Sequence, residues 1–73
     1  MTHLPTYRPE EVLRNLRRIG FAIDHVTGSH YILRRSDGQR VVVPYHRGRD
    51  IKRGTLHAIL QQAGLTAEEF RDL

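Results

Sequence analysis

Asp37-Gly38 lies between two runs that both read as β-strand, and this junction constrains the fold more than any other feature of the chain. His30-Tyr31-Ile32-Leu33-Arg34-Arg35 precedes it and Arg40-Val41-Val42-Val43-Pro44 follows it. β-Branched and aromatic residues suit a pleated, half-buried surface, and Asp-Gly in so short a gap is the chemistry of a hairpin turn, where the backbone needs positive φ. An antiparallel hairpin is therefore predicted, with Pro44 closing its second strand because proline has no N–H to offer a ladder. Upstream, Phe21-Ala22-Ile23-Asp24-His25-Val26 alternates at period two until Thr27-Gly28-Ser29 breaks it. Together the three runs predict a three-stranded antiparallel meander.

Helical spacing flanks the meander on both sides. Pro9 suits a first helical turn, Glu10 and Glu11 suit the positive end of the helix dipole, and Val12, Leu13, Leu16 and Ile19 recur on one side until Gly20 stops the run. Arg14, Arg17 and Arg18 fall on the opposite side. A solvated polar face is the ordinary account of any one of these arginines, whereas the three together form a stripe that would suit RNA or a protein partner. After the sheet, Asp50 is the predicted N-cap of a second helix whose face is Leu56, Ile59, Leu60 and Ala63, ending at Gly64. Thr66-Ala67-Glu68-Glu69 has capping-box spacing and opens a short third helix that packs Phe70 and Leu73. With no repeat, linker or low-complexity tract, the order α-β-β-β-α-α predicts one α+β domain over residues 1–73, its helices packed on one face of the sheet.

Leu, Ile, Val and Phe supply 20 of the 73 residues, above the roughly one-fifth below which disorder is expected. A core of this size yields only about 3–5 kcal/mol, and the chain has no cysteine for disulfides or cysteine-built zinc sites, so a bound partner is the expected source of further stability. No stretch nears the roughly 18 apolar residues of a membrane span, and Met1-Thr2-His3-Leu4-Pro5 lacks the blocks of a signal peptide, which leaves a cytoplasmic chain with no membrane contact as the expectation. The charge is more informative. Net charge is +4, and eleven of the twelve cations are arginine, whose planar fork grips phosphate oxygens in pairs. Residues 1–53 carry eleven cations against five acids, a net of +6, while residues 54–73 carry one against three. A basic body with an acidic end suggests an anionic ligand for the body.

The five histidines are the acid/base candidates. His3 sits in a terminal segment, His57 on the second helix about 100° from Leu56 at the edge of its apolar face, and His25 on the first strand beside Asp24, and each reads as a boundary or surface residue. His30 differs because Gly28, free to take unusual backbone angles, and Ser29 deliver it at the mouth of the second strand. Alternation puts Tyr31 and Leu33 on one face and His30, Ile32 and Arg34 on the other, so His30 is expected on the open face if Leu33 meets the helices, with Arg34 about 13 Å further along. His46 follows the third strand, and His46-Arg47-Gly48-Arg49 with Lys52-Arg53-Gly54-Thr55 would gather cations and a helix N-terminus near one anion, or else form a solvated loop. There is no His-Glu-x-x-His, no phosphate-binding Gly-x-x-x-x-Gly-Lys and no pair of histidines at i, i+3 or i, i+4. Metal-free phosphodiester chemistry stays open.

Four motifs in order carry a resemblance to a known family: a first helix ending in Gly20-Phe21, then Gly28-Ser29-His30, then Val43-Pro44-x-His46, then Gly54-Thr55-Leu56-x-x-Ile59-Leu60-x-x-Ala63-Gly64-Leu65. In these, and over about Leu4 to Leu73, the chain resembles the HicA (YcfA-like) toxins, small bacterial mRNA interferases with a double-stranded-RNA-binding-domain-like fold. The resemblance implies that His30 is the catalytic residue, that RNA is cleaved without a metal or other cofactor, and that a HicB-type antitoxin binds the chain and blocks its site. Tyr31 stands where the family often has a second histidine.

On that basis His30 would exchange a proton with the ribose 2′-OH or the departing 5′-oxygen, and His46 is the candidate for the other proton. Arg34, Arg47 or Arg49 would steady charge on the phosphorane, while Gly28, Ser29, Lys52, Arg53, Arg14, Arg17 and Arg18 complete the expected RNA-contacting set. The partners expected are mRNA and the antitoxin, with no DNA bound by this chain alone. Two other classes fit the same fold: a non-catalytic RNA-binding module that recognises A-form shape, and an inactive relative retained to bind a partner.

Overall fold

The computed structural model describes residues 5–73, so His3 and Leu4 lie outside the described residues. The elements run α1 (Pro9–Arg18), β1 (Ala22–Thr27), β2 (His30–Arg34), β3 (Arg40–Pro44), α2 (Arg53–Ala63) and α3 (Ala67–Arg71). The strands form one antiparallel sheet in the order β1-β2-β3. This is the α+β arrangement of a double-stranded-RNA-binding-like fold.

One face of the sheet meets the helices. Leu33, Val41 and Val43 are buried with Val12, Leu13 and Leu16 of α1 and Leu56, Ile59, Leu60 and Ala63 of α2. Phe70 of α3 seals the end, edge-on to Tyr7 with ring centroids 5.0 Å apart. The other face is not wholly open: Ile32 is only 4% exposed although it lies outside the helix-covered cluster. The free edge of β3 is closed by α2, since the Gln62 side-chain oxygen accepts from the Val42 N–H at 2.9 Å and its carbonyl accepts from the Gln39 amide at 2.6 Å. β1 is exposed along its length except for half-buried Ile23.

The turn that carries Asp37-Gly38 is a three-residue connection, Ser36-Asp37-Gly38. Arg35 and Gln39 close it through an N–H to carbonyl bond of 3.0 Å, and only Gly38, at φ 90°, takes positive φ. Asp37 receives the Arg35 guanidinium at 2.9 Å and the Gln39 N–H at 3.1 Å, which holds its carboxyl below the usual carboxylate range. Arg35 also lies over the Phe21 ring, 4.6 Å from its centroid, and so ties the hairpin to the end of α1.

Asp50 does not cap α2. The N-cap is Lys52, with no side-chain bond to the first turn. Ile51 is buried and pairs with Tyr7, its N–H donating to the Tyr7 carbonyl at 2.8 Å, so the chain stays extended for two residues past Asp50. The Asp50 carboxylate instead lies 3.8 Å from the Arg8 guanidinium.

Candidate functional site

The site is built where the meander turns from β1 into β2. Thr27 pairs with His30 across Gly28-Ser29, and Gly28 takes φ 57°. A two-residue turn with positive φ at its first position suits glycine there. His30 is thereby fixed as the first residue of β2, opposite Pro44, the last of β3. Past Pro44 the ladder continues by one bond, the Tyr45 N–H donating to the Ser29 carbonyl at 2.6 Å. This keeps the segment carrying His46 beside the turn that delivers His30.

The chain then doubles back. Gly48, at φ 75°, lets the Arg49 N–H reach the His46 carbonyl at 3.0 Å, and the Tyr7–Ile51 bridge leads the chain into α2. The result is a cavity of about 330 Å³ onto which His30, His46, Arg49, Asp50, Lys52 and Thr55 converge, with Pro9, Pro44 and Ile51 as apolar walls. His30 thus lines a cavity shared with the starts of both long helices. α1 and α3 carry Glu10 and Glu11, and Glu68 and Glu69, in their first turns. Among the described helices, α2 alone has no acid there and no side-chain cap, which leaves the positive end of its dipole and its first N–H groups beside Lys52 and Thr55 at the cavity.

Of the residues singled out from sequence, four meet here: His30, His46, Arg49 and Lys52. Gly28 and Ser29 make the turn that presents His30. Arg47 and Arg53 are exposed close by in sequence but do not line the cavity. Arg34 lies at the far end of β2, where its Nε is 3.6 Å from the Asp24 carboxylate. The same carboxylate accepts from the His25 imidazole at 2.7 Å, and the His25 bond followed by the Arg34 charge draws the Asp24 carboxyl below its usual range. Arg14, Arg17 and Arg18 are exposed and line a separate groove along α1. His57 is exposed on α2.

Thr55 reaches the cavity as part of the Lys52-Arg53-Gly54-Thr55 run, whereas Asp50 reads from sequence only as a helix cap, because what brings it to the cavity is the long-range Tyr7–Ile51 bridge. Tyr31 and Tyr45, whose rings stack in the α1 groove, carry a signal that register could have supplied: Tyr31 pairs with Val43, which puts the residue two beyond on the same face. Among the described residues, no three His, Cys, Asp or Glu side chains come together as ion ligands, and no helix is long and apolar enough to cross a membrane.

Compared with known proteins, residues 9–65 match the model of a family described as the HicA toxin of bacterial toxin-antitoxin systems. The matched span begins at Pro9 and contains every residue that lines the histidine cavity. No curated protein matches the chain.

Proposed function

The chain belongs to the HicA toxin family of bacterial toxin-antitoxin systems, and we propose that it acts as a metal-independent endoribonuclease on mRNA, with His30 as general acid/base. The carrying observation is the convergence of His30, from the start of β2, and His46, from the segment after β3, on one cavity with Arg49, Lys52 and the uncapped start of α2. Each group has a task in transesterification. One histidine takes the proton of a ribose 2′-OH, and the oxygen attacks the adjacent phosphorus. The bond from phosphorus to the 5′-oxygen breaks, and that oxygen leaves as a hydroxyl after receiving a proton from the other histidine. We assign His30 to one transfer and His46 to the other. Arg49, Lys52 and the first N–H groups of α2 offset the negative charge that builds on the phosphoryl oxygens. Arg47, Arg53 and the α1 arginines extend the phosphate-binding surface, whereas Arg34 is held by Asp24 at the far end of β2, and Gly28 and Ser29 let the RNA backbone approach His30.

Toxin-antitoxin membership brings an antitoxin partner. We assign it to the HicB type and place its inhibitory contact over the histidine cavity, where it excludes RNA.

The test is digestion of one RNA by the wild type, His30→Ala, His30→Gln and His46→Ala, with the matching DNA and a chelator as further arms. The wild type should leave 2′,3′-cyclic phosphate and 5′-hydroxyl ends, act equally with chelator, and spare DNA, which lacks the attacking hydroxyl. Loss of His30 should slow cleavage by about 10²-fold or more. Cleavage by His30→Ala at the wild-type rate, or 5′-phosphate ends, would overturn the assignment. RNA binding without any cleavage would identify a non-catalytic RNA-binding module instead.

A further inference from the structure

The chain holds a second and larger concavity, of about 560 Å³, whose floor the cleavage chemistry does not use. α1 and α2 pack over β3, so the β1 side of the sheet is left uncovered, and the groove lies in that space. Arg14, Arg17 and Arg18 form one wall, and Ile23, Tyr31 and Tyr45 line the other side. The two tyrosine rings are stacked, 4.9 Å between centroids and 27° from parallel.

We propose that this groove is a base-stacking subsite for single-stranded RNA, in which the Tyr31–Tyr45 pair receives an unstacked base and the α1 arginines take the flanking phosphates. The inference rests on the ribonuclease function proposed above. A cationic wall along an aromatic platform is how proteins hold single strands irrespective of sequence, because every base has a flat face to stack. The rings are already ordered against each other, so little side-chain freedom remains to be lost on binding. A duplex keeps its base faces covered, and an acidic protein segment would use the arginines but not the flat ring faces. Glu10 lines the groove as well, and the three arginines outnumber it.

The groove and the histidine cavity are lined by consecutive residues at three places: Pro9 and Glu10, His30 and Tyr31, Pro44 and Tyr45. The last two of these pairs fall at the end of the sheet where β2 begins and β3 ends. A strand whose base rests on the tyrosines therefore has a path around that end to His30, which makes the subsite a positioning device for the scissile phosphate.

The experiment compares binding of two labelled oligonucleotides of equal length. One is a single-stranded 2′-O-methyl RNA, which cannot be cleaved, and the other an abasic strand that offers phosphates without bases. Tyr31→Leu and Tyr45→Leu should each weaken binding of the first by roughly tenfold and leave the second unchanged. Tyr31→Phe and Tyr45→Phe keep the rings and should bind as the wild type does, which separates stacking from damage to the fold. Arg17→Gln should weaken both and make the salt slope shallower by about 0.7 for each phosphate it no longer neutralises. Ring-proton resonances of Tyr31 and Tyr45 should move upfield on addition of the RNA analogue only. If the wild type neither binds nor cleaves RNA, ribonuclease function and subsite fall together. If the wild type cleaves while the leucine variants bind both strands normally, the subsite alone is overturned. The same holds if those variants keep oligonucleotide affinity but no longer bind the antitoxin, which would make the groove a protein dock.

Discussion

Asp24 shows how one carboxylate can decide what two neighbouring cations are free to do. It sits at the bulge where Ile23 pairs with Leu33 but His25 already pairs with Ile32, so it is the extra residue on β1 and faces no direct partner. From there it binds both His25 and Arg34. Because its folded pKa is depressed, the contribution to stability is present above the ordinary carboxylate pKa of about 3.9 and is lost as pH falls through the lower folded value. Urea midpoints of wild type and Asp24→Asn between pH 2 and 6 should therefore differ slightly at pH 6 and converge in acid; a difference independent of pH would refute this account. Tyr7 has the opposite sign. Burial, with Glu11 next, raises its phenol above 10, so its contribution is complete below about pH 10 and is lost as pH rises through the folded value. Tyr7→Phe, which keeps the ring against Phe70, should flatten the alkaline limb of the stability profile. Alternation along β1 does not reveal the Asp24 bulge, which is why Arg34 reads from sequence as a free phosphate ligand when it has a carboxylate beside it.

Elements closed by local chemistry were legible, and those set by distant contacts were not. Thr66 is the clear case of the first kind: its hydroxyl accepts from the Glu69 N–H at 3.1 Å, and the Glu69 carboxylate accepts from the Thr66 N–H at 2.8 Å. The four-residue spacing alone announces that geometry. Gly64, at φ 73°, likewise ends α2 where glycine is expected to. The start of α2 is the second kind. Asp50 has the chemistry of a cap, but burying Ile51 against Tyr7 requires extended backbone just where the helix would have begun. The two ends should respond differently to mutation. Thr66→Ala should cost about 1 kcal/mol in chemical denaturation because it strips a first-turn N–H of its acceptor. Asp50→Ala should show no such capping loss, and equal costs at the two positions would mean that Asp50 does cap α2.

At the scale of the whole molecule, the same long-range closure that hides the start of α2 also assembles the cavity. His30, at the start of the second strand, and His46, just after the third, are visible in sequence as candidates, yet their meeting with Asp50 and Thr55 depends on where the chain returns to after Gly48. That return is fixed by a core assembled from every element except exposed β1, and Leu33, fully buried, is part of it. Leu33→Ala should cost about 2–5 kcal/mol, comparable with the roughly 3–5 kcal/mol that a core of this size supplies. The variant alone should be largely unfolded. An antitoxin that binds only the folded chain shifts the balance by about 2.7 kcal/mol at a hundred times its Kd, so mixing the two should restore the amide dispersion of the folded toxin in NMR spectra. A Leu33→Ala protein that stays folded alone would show that the core carries more stability than its size suggests. One that remains unfolded with excess antitoxin would show that the partner does not recognise the assembled fold.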